Sequence, residues 1–404
     1  MLTISNLKSV LFFTLSLISL CSFSQSSELI GGVIDARFWS EDSSFPVAGY
    51  CHFFDGQLLS PEECSKATSD IVSFPALFKS GVGYATYSLM IAFKESHTKE
   101  LGLAVPQMYS SYRLWANGRL VAENGKVGKS IVDCVPQWKP QTVFIEVPGN
   151  TLHLVLQIAN FHHDIGGIKE PIYIGTAAKM QLKRTVATFS SLTQTIVLFL
   201  ICVYFFFIYF SRTKKKVTLY FGLLCLTWSV RSMFSNLYPS LFLFPDFDWT
   251  TTVRIEYITI YFTMIWSILF LGQIFQNEAN IFFKYALIFS NLLFTLFTLF
   301  TLPLSFTHWL NVYLSAAIVM LLYAGFTVIR AWVNERVGSG LLTISAILGI
   351  NIFAYDIFVY EGFSSYDPII FSFGYISIFL LMSWALSMNL GLIKSKSNPT
   401  TRLT

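Results

Sequence analysis

Two groups of residues in this chain have the types and spacing to do chemistry. The first is Asn160, His162, His163 and Asp164, set just before the pair Gly166-Gly167. An imidazole offers both a donor and an acceptor, so this loop suits hydrogen bonding to a sugar or, with more ligands, to a metal. Adjacent histidines point apart in extended chain and do not chelate alone, so a loop that merely satisfies its own backbone is the competing reading. Trp115 offers a stacking platform for a sugar, against the plainer reading of a core tryptophan. The second group is Arg231, Arg254, Glu256 and Asp356, four ionisable residues in apolar surroundings. Such charges are costly and usually face a bundle interior and pair. They are expected to form a network coupling movement outside the membrane to the helices; a static set that only fixes packing is the alternative.

The elements that must hold the second group are seven long apolar segments. They run from Thr188 to Phe210, Val217 to Ser235, Ile255 to Ile274, Tyr285 to Leu302, Trp309 to Ile329, Gly340 to Tyr360 and Pro368 to Ile393. Each comes close to the roughly 20 residues a helix needs to cross a ~30 Å hydrocarbon core. Basic residues cluster in alternate connections: Arg212 with Lys214, Lys215 and Lys216, then Lys284, then Arg330 and Arg336, then Lys394, Lys396 and Arg402. The intervening connections carry Asp246 and Asp248, His308, and Glu361 with Asp367. The excess of Lys and Arg marks the cytoplasmic side, so the C-terminus is expected inside and everything before Thr188 outside.

The N-terminus fits that orientation. Lys8 precedes an apolar run from Val10 to Leu20, and Ser22, Ser24 and Ser26 offer a cleavage site near Gln25, the layout of a secretory signal peptide. A lipidated Cys21 is the weaker alternative, because Leu20 stands where a small residue is expected. The expected divisions are a signal peptide over 1–24, an exported domain over 25–183, a helical membrane domain over 184–393 and a short cytoplasmic tail over 394–404. An apolar content of 54% with 12% charge is a membrane average. The net charge of +4 comes mostly from the basic loops and does not argue for nucleic acid.

The exported region reads as β. Leu152, Leu154, Leu156 and Ile158 alternate with His153, Val155 and Gln157, a period of two that sends one face to a core. Val82 to Phe93 and Ser111 to Val121 are further candidate strands, Asn117-Gly118 and Asn124-Gly125 are turn signals, and Ser60 to Thr68 is the one candidate helix. Short strands between such turns favour a sandwich. Among six cysteines, Cys51 and Cys64 are close enough to bridge in an oxidising compartment, with buried free thiols as the alternative; Cys134 would be left over.

Several strings resemble a known module. They are Gly83-Tyr84-Ala85-Thr86-Tyr87-Ser88-Leu89, the run from Tyr109 to Gly118 leading into Glu123-Asn124-Gly125-Lys126-Val127-Gly128, and Asn160 to Ile168. They are similar to the extracellular jelly-roll domain of the bacterial seven-transmembrane receptors with diverse intracellular signalling modules. Arg254-Ile255-Glu256-Tyr257 and Asp356 resemble that family's membrane half. The resemblance implies a cell-surface receptor of the bacterial inner membrane. Its outer β domain, galactose-binding-like in fold, would take a small molecule or glycan, and seven helices would pass the signal on. Family members commonly end in a kinase, a cyclase or a DNA-binding module. Here about a dozen residues follow the last segment, so output is expected from a separate cytoplasmic signalling protein. A homodimer is an open expectation that no residue supports.

Enzyme readings fail on residue supply, and no cofactor or metal is expected. His308 is the only histidine after Asp164, which leaves no histidine set at membrane depth for a metal hydrolase. Gly338-Ser339-Gly340 lies at the opposite edge from His308, too far for a dyad. No Gly-rich phosphate loop and no Cys-x-x-Cys pattern occurs. A transporter and a non-signalling membrane scaffold remain the alternatives from other classes.

Overall fold

The computed structural model describes residues 33–94, 97–360 and 366–392. The expected signal peptide, Cys21 and the tail from Lys394 lie outside the described residues.

Among the described residues, eleven strands build the first half. One sheet runs β4 (Asp70–Phe74), β3 (Gly49–Asp55), β5 (Gly83–Ala92), β10 (Thr151–Asn160), β7 (Ser111–Ala116) and β8 (Arg119–Asn124), with β1 (Val33–Asp35) parallel to β5. The other runs β2 (Phe45–Pro46), β11 (Tyr173–Thr176), β6 (His97–Val105) and β9 (Gln141–Val147). Apart from β1 all pairs are antiparallel, and the two sheets close on one apolar core in a jelly-roll-like sandwich. The period of two in β10 holds: Leu152, Leu154, Leu156 and Ile158 all enter that core. Asn117 and Gly118 both take positive φ, the backbone of a tight hairpin turn, so the stretch from Ser111 is two strands, β7 and β8, and not one. The Asn117 side chain also accepts from the His153 N–H at 2.8 Å, which pins the turn to β10.

The expected Cys51–Cys64 bridge is not formed; both cysteines are free thiols. The alternation of β3 explains this. Cys51 points into the sandwich core, whereas Cys64, in the helical turn Pro61–Cys64, packs with Phe54 and Val155 on the sheet's other face. Burial pushes the Cys51 thiol up to about 12 and the Cys64 thiol up to about 11, so both stay protonated at neutral pH.

Among the described residues seven long helices follow: α1 (Ala177–Ile208, prolonged by a π-turn over Tyr209–Thr213), α2 (Lys216–Met233), α3 (Trp249–Ile274), α4 (Ile281–Phe300), α5 (Leu310–Val333), α6 (Ser339–Tyr360) and α7 (Pro368–Asn389). Six are long and apolar enough to cross a membrane, which makes this a multi-pass membrane protein. The exception among the described residues is α2, expected as the second span. It has 18 residues with Lys216 and Arg231 near its ends, and Thr218, Thr227, Ser229 and Ser232 dilute its apolar surface.

Caps explain where the sequence reading placed helix starts too late. Asp248 accepts from Thr251 N–H at 2.7 Å and starts α3 at Trp249, ahead of its apolar stretch. Asn280 caps α4 through Phe282 and Phe283. Helix α1 begins directly after β11, with no linker, because Ala177 to Lys183 is helical but too polar to register as apolar.

Candidate functional site

The loop after β10 does not stand open to solvent. The Asn160 side chain is consumed locally: its Nδ2 donates to the carbonyls of Gly81 (2.8 Å), His163 (2.6 Å) and Ile165 (3.0 Å), and its Oδ1 accepts from the N–H of His162 and His163. Gly81 and Gly166 approach so closely that a Cβ on either would strike backbone oxygen, which accounts for glycine at both. This is the self-satisfied loop of the plainer reading, and what it presents outward is a surface aimed at the helices.

Asp164 makes the first cross-domain contact. Its N–H donates to the Thr307 hydroxyl at 3.1 Å, and its carboxylate meets His308 Nδ1 at 2.8 Å. Both partners lie in the short helix Pro303–His308 between α4 and α5. The side chains of His308 and Asp164 remain 70% and 37% exposed, so the contact is weak; its value is in position.

His163 supports this face from within the β domain, through packing. Its ring lies 4.9 Å from Tyr109 and 5.4 Å from Trp138, and Nδ1 accepts from the Ile165 N–H at 3.0 Å. Burial holds its pKa down from 6.5 to about 4, so the imidazole is neutral. His162 sits edge-on to Trp249 at 6.2 Å.

Trp138, which sequence reasoning missed, is the centre of this contact. It is 3% exposed and packs against Tyr238 at 5.9 Å and Trp249 at 5.3 Å, both from the helical half. With Tyr109 it joins an aromatic cluster otherwise made of helical residues, including Val253, Tyr257 and Phe306. Its only sequence signal was an aromatic in a Pro-flanked loop, Pro136-Gln137-Trp138-Lys139-Pro140. Trp115 is not brought to this place. It packs with Phe54, Cys64 and Val155 on the outer face of the larger sheet.

Of the four residues expected to form a charge network, three line one cavity, and no salt bridge joins the four among the described residues. Arg231 donates from Nη1 to the Glu256 backbone carbonyl at 2.8 Å, and the Glu256 carboxylate receives the Tyr238 hydroxyl at 3.2 Å. Arg231, Glu256 and Asp356 together line a cavity of about 180 Å³ between the β domain and the bundle, shared with Trp138, His163 and Glu170. Arg254 is the correction. One α-helical turn of 3.6 residues separates neighbours on one face, so a residue two positions before Glu256 points away from it, and Arg254 instead donates to the Thr301 carbonyl at 3.1 Å. Asp356 also lines a second, smaller cavity with Arg231, Gln194, Asn236 and Tyr366. Glu170 guards the seam from the β side, and burial raises its carboxyl above the ordinary value against the pull of Lys169 and Lys183.

At the far end of the bundle the charges are arranged differently. Glu278, with its side chain 2% exposed, accepts from Arg336 Nε at 2.7 Å and Asn334 Nδ2 at 3.2 Å, tying the α3–α4 connection to the α5–α6 connection. Burial opposes the charge there, yet the hydrogen bonds from Arg336 and Asn334 outweigh it and hold the carboxyl below its ordinary value. No group of three potential metal ligands occurs among the described residues.

Comparison with known proteins separates the two halves. A family model described as 7TM diverse intracellular signalling matches residues 189–389. No curated protein matches the chain. Solved structures similar to it include a GH2 beta-galacturonidase from Eisenbergiella tayi bound to glycerol, with 13% identity and TM-score 0.24, covering 33% of this chain and 24% of that one. A beta-glucuronidase from Ruminococcus gnavus (12% identity, TM-score 0.25, 33% and 28%) and one from Faecalibacterium prausnitzii (12%, 0.24, 33% and 31%) are alike in the same way. The chain spans only about a quarter to a third of the length of these enzymes, and a likeness at that level says nothing of what it binds.

Proposed function

Because the chain belongs, through residues 189–389, to the 7TM diverse intracellular signalling family, we propose that it is a cell-surface sensor of a bacterial inner membrane. The β domain lies outside and meets an extracytoplasmic ligand, a small molecule or glycan. The helices carry the change to the cytoplasmic side, where a separate signalling protein receives it. The orientation rests on the basic loop from Arg212 to Lys216 and on Arg330 and Arg336.

The observation that carries this reading is the docking of the β domain on the bundle through Asp164, His162 and Trp138. An indole held between two tyrosines, a tryptophan and a histidine has few positions open to it, because packed interfaces are bistable and not continuously deformable. A shift of the loop 160–167 or of Trp138 therefore has to move the ends of α3 and the turn at Tyr238.

The test uses the full chain in nanodiscs. Glycans and small metabolites are screened by thermal shift, since a ligand that prefers the folded state stabilises it. Hydrogen exchange is then followed in the far loops at 212–216 and 275–280. The sensor reading expects ligand to change exchange there in the parent chain, and Trp138→Ala to abolish that change while binding persists. Binding with no far-end change overturns it in favour of a scaffold. Uptake of the ligand into proteoliposomes overturns it in favour of a transporter.

A further inference from the structure

We propose that the cavity between the β domain and the bundle is a binding site for a small organic cation, a protonated amine on an aromatic or short apolar body. The proposal gives the sensor reading a second, named site and is independent of the β domain's own ligand. Four observations support it.

The first is size and place. The cavity measures about 180 Å³ and is walled by both domains, with Trp138, His163 and Glu170 on one side and Arg231, Glu256 and Asp356 on the other. An engineered apolar cavity of ~150 Å³ is enough for benzene, so a ligand of six to ten heavy atoms is the scale that fits.

The second is the acid. Asp356, from the last two turns of α6, faces this cavity and the smaller one beside it. Among the described residues it has neither a hydrogen-bond nor a salt-bridge partner. A half-buried carboxylate that shares its cavities with Arg231 but takes no hydrogen bond is costly within a bundle, and the cost is relieved by a donor brought in by a guest.

The third is the balance of charge. Glu170, Glu256 and Asp356 line the cavity against Arg231 and Lys169. Arg231 commits Nη1 to the Glu256 backbone carbonyl, and its guanidinium lies 5.8 Å from the Trp228 ring. Counted at formal charges, one more positive charge brings the lining to neutrality.

The fourth is the rest of the wall. Tyr109, Trp138, Tyr238 and Tyr257 contribute aromatic surface to the same cavity. Aromatic faces attract a desolvated cation through the ring quadrupole, which repels an anion from the same face. A cation bound here touches both domains at once, so it ties the docked arrangement together and favours it by its differential affinity.

The test is a titration of the full chain in nanodiscs with 2-phenylethylamine and butylamine, read by calorimetry and tryptophan fluorescence. The neutral isostere 2-phenylethanol runs alongside. Saturable binding of an amine at least about tenfold tighter than the alcohol supports the site. So does a loss of about tenfold or more in Asp356→Asn, with Glu170→Gln losing about threefold. Glu170→Gln lies outside the helices, so it keeps the test open where Asp356→Asn fails to fold. No saturable binding of either amine, equal binding of the alcohol, or amine affinity unchanged in Glu170→Gln and in folded Asp356→Asn overturns it. The two readings fail separately. Amine binding that leaves the far loops unmoved removes the sensor reading alone, and far-loop responses to another ligand without amine binding remove this site alone.

Discussion

At the end of the bundle away from the β domain, the buried carboxylate of Glu278 receives both Arg336 and Asn334 on one oxygen; beneath the β domain, Asp356 lines a cavity and has no such hydrogen-bond partner among the described residues. The far end also joins two helix connections directly, whereas the near end meets a separate domain across aromatic rings and a cavity. A satisfied buried charge fixes one arrangement, because removing either partner leaves the other stranded. An unsatisfied one lining a cavity leaves the arrangement open to whatever fills it. The difference teaches how the two ends are held: the far end by a charged tie between two connections, the near end by ring packing around a cavity.

The comparison breaks most readily at Trp138. Trp138→Ala removes a nearly fully buried indole from the seam, and we expect a loss of about 3–5 kcal/mol of docking. Hydrogen exchange should rise across the loop 160–167 while β5 and β10 stay protected. Equal loss of protection in those strands would mean that the seam and the sandwich are one cooperative unit.

Acid should act next. The His163 imidazole titrates at about 4 in the folded protein against 6.5 ordinarily, so the unfolded or undocked chain takes up its proton first. The contribution is fully present above the ordinary value and is lost as pH falls from there toward the folded one, about 3 kcal/mol in all. Thermal unfolding between pH 7 and pH 4 should show this loss at the seam, and His163→Phe should flatten it.

At the far end, Arg336→Ala should cost about 2 kcal/mol, less than a fully buried pair because Arg336 is itself partly exposed. Exchange should rise in the 275–280 connection and not at the seam. A rise at both would sharpen the contrast into a coupled pair of ends. The smallest effect is expected at His308→Ala, under about 1 kcal/mol, since that pair is solvated and screened. A tryptophan fluorescence melt is sensitive enough to check it.

Much of this architecture was legible in the residues. Long apolar runs give helices wherever they occur, and alternation in β10 identified its core face, because both patterns arise within one element. Arg231, Glu256 and Asp356 were found because charge in an apolar run is conspicuous. What escaped depended on contacts between elements. Trp138 looked like any loop aromatic until the helices closed over it, and the register of Arg254 against Glu256 decided their separation. The histidine loop was conspicuous for its residue types, but nothing local revealed that the helical domain itself covers it. Cys51 and Cys64 are near in sequence, yet Cys51 faces the sandwich core from β3 while Cys64, in the helical turn that follows, packs on the sheet's other face.

The direct join between β11 and α1 has a mechanical consequence. From Ala177 to Thr213 the chain is one continuous rod of 37 residues, roughly 55 Å long against a ~30 Å hydrocarbon core. With no hinge at its root, it acts as a lever arm clamped in the smaller sheet. A tilt of about 5° imposed there by β6 or β2 sweeps the far tip, beside Arg212, through about 5 Å. The sandwich thereby gains a mechanical advantage over the opposite face of the membrane from strand movements too small to disturb its own core.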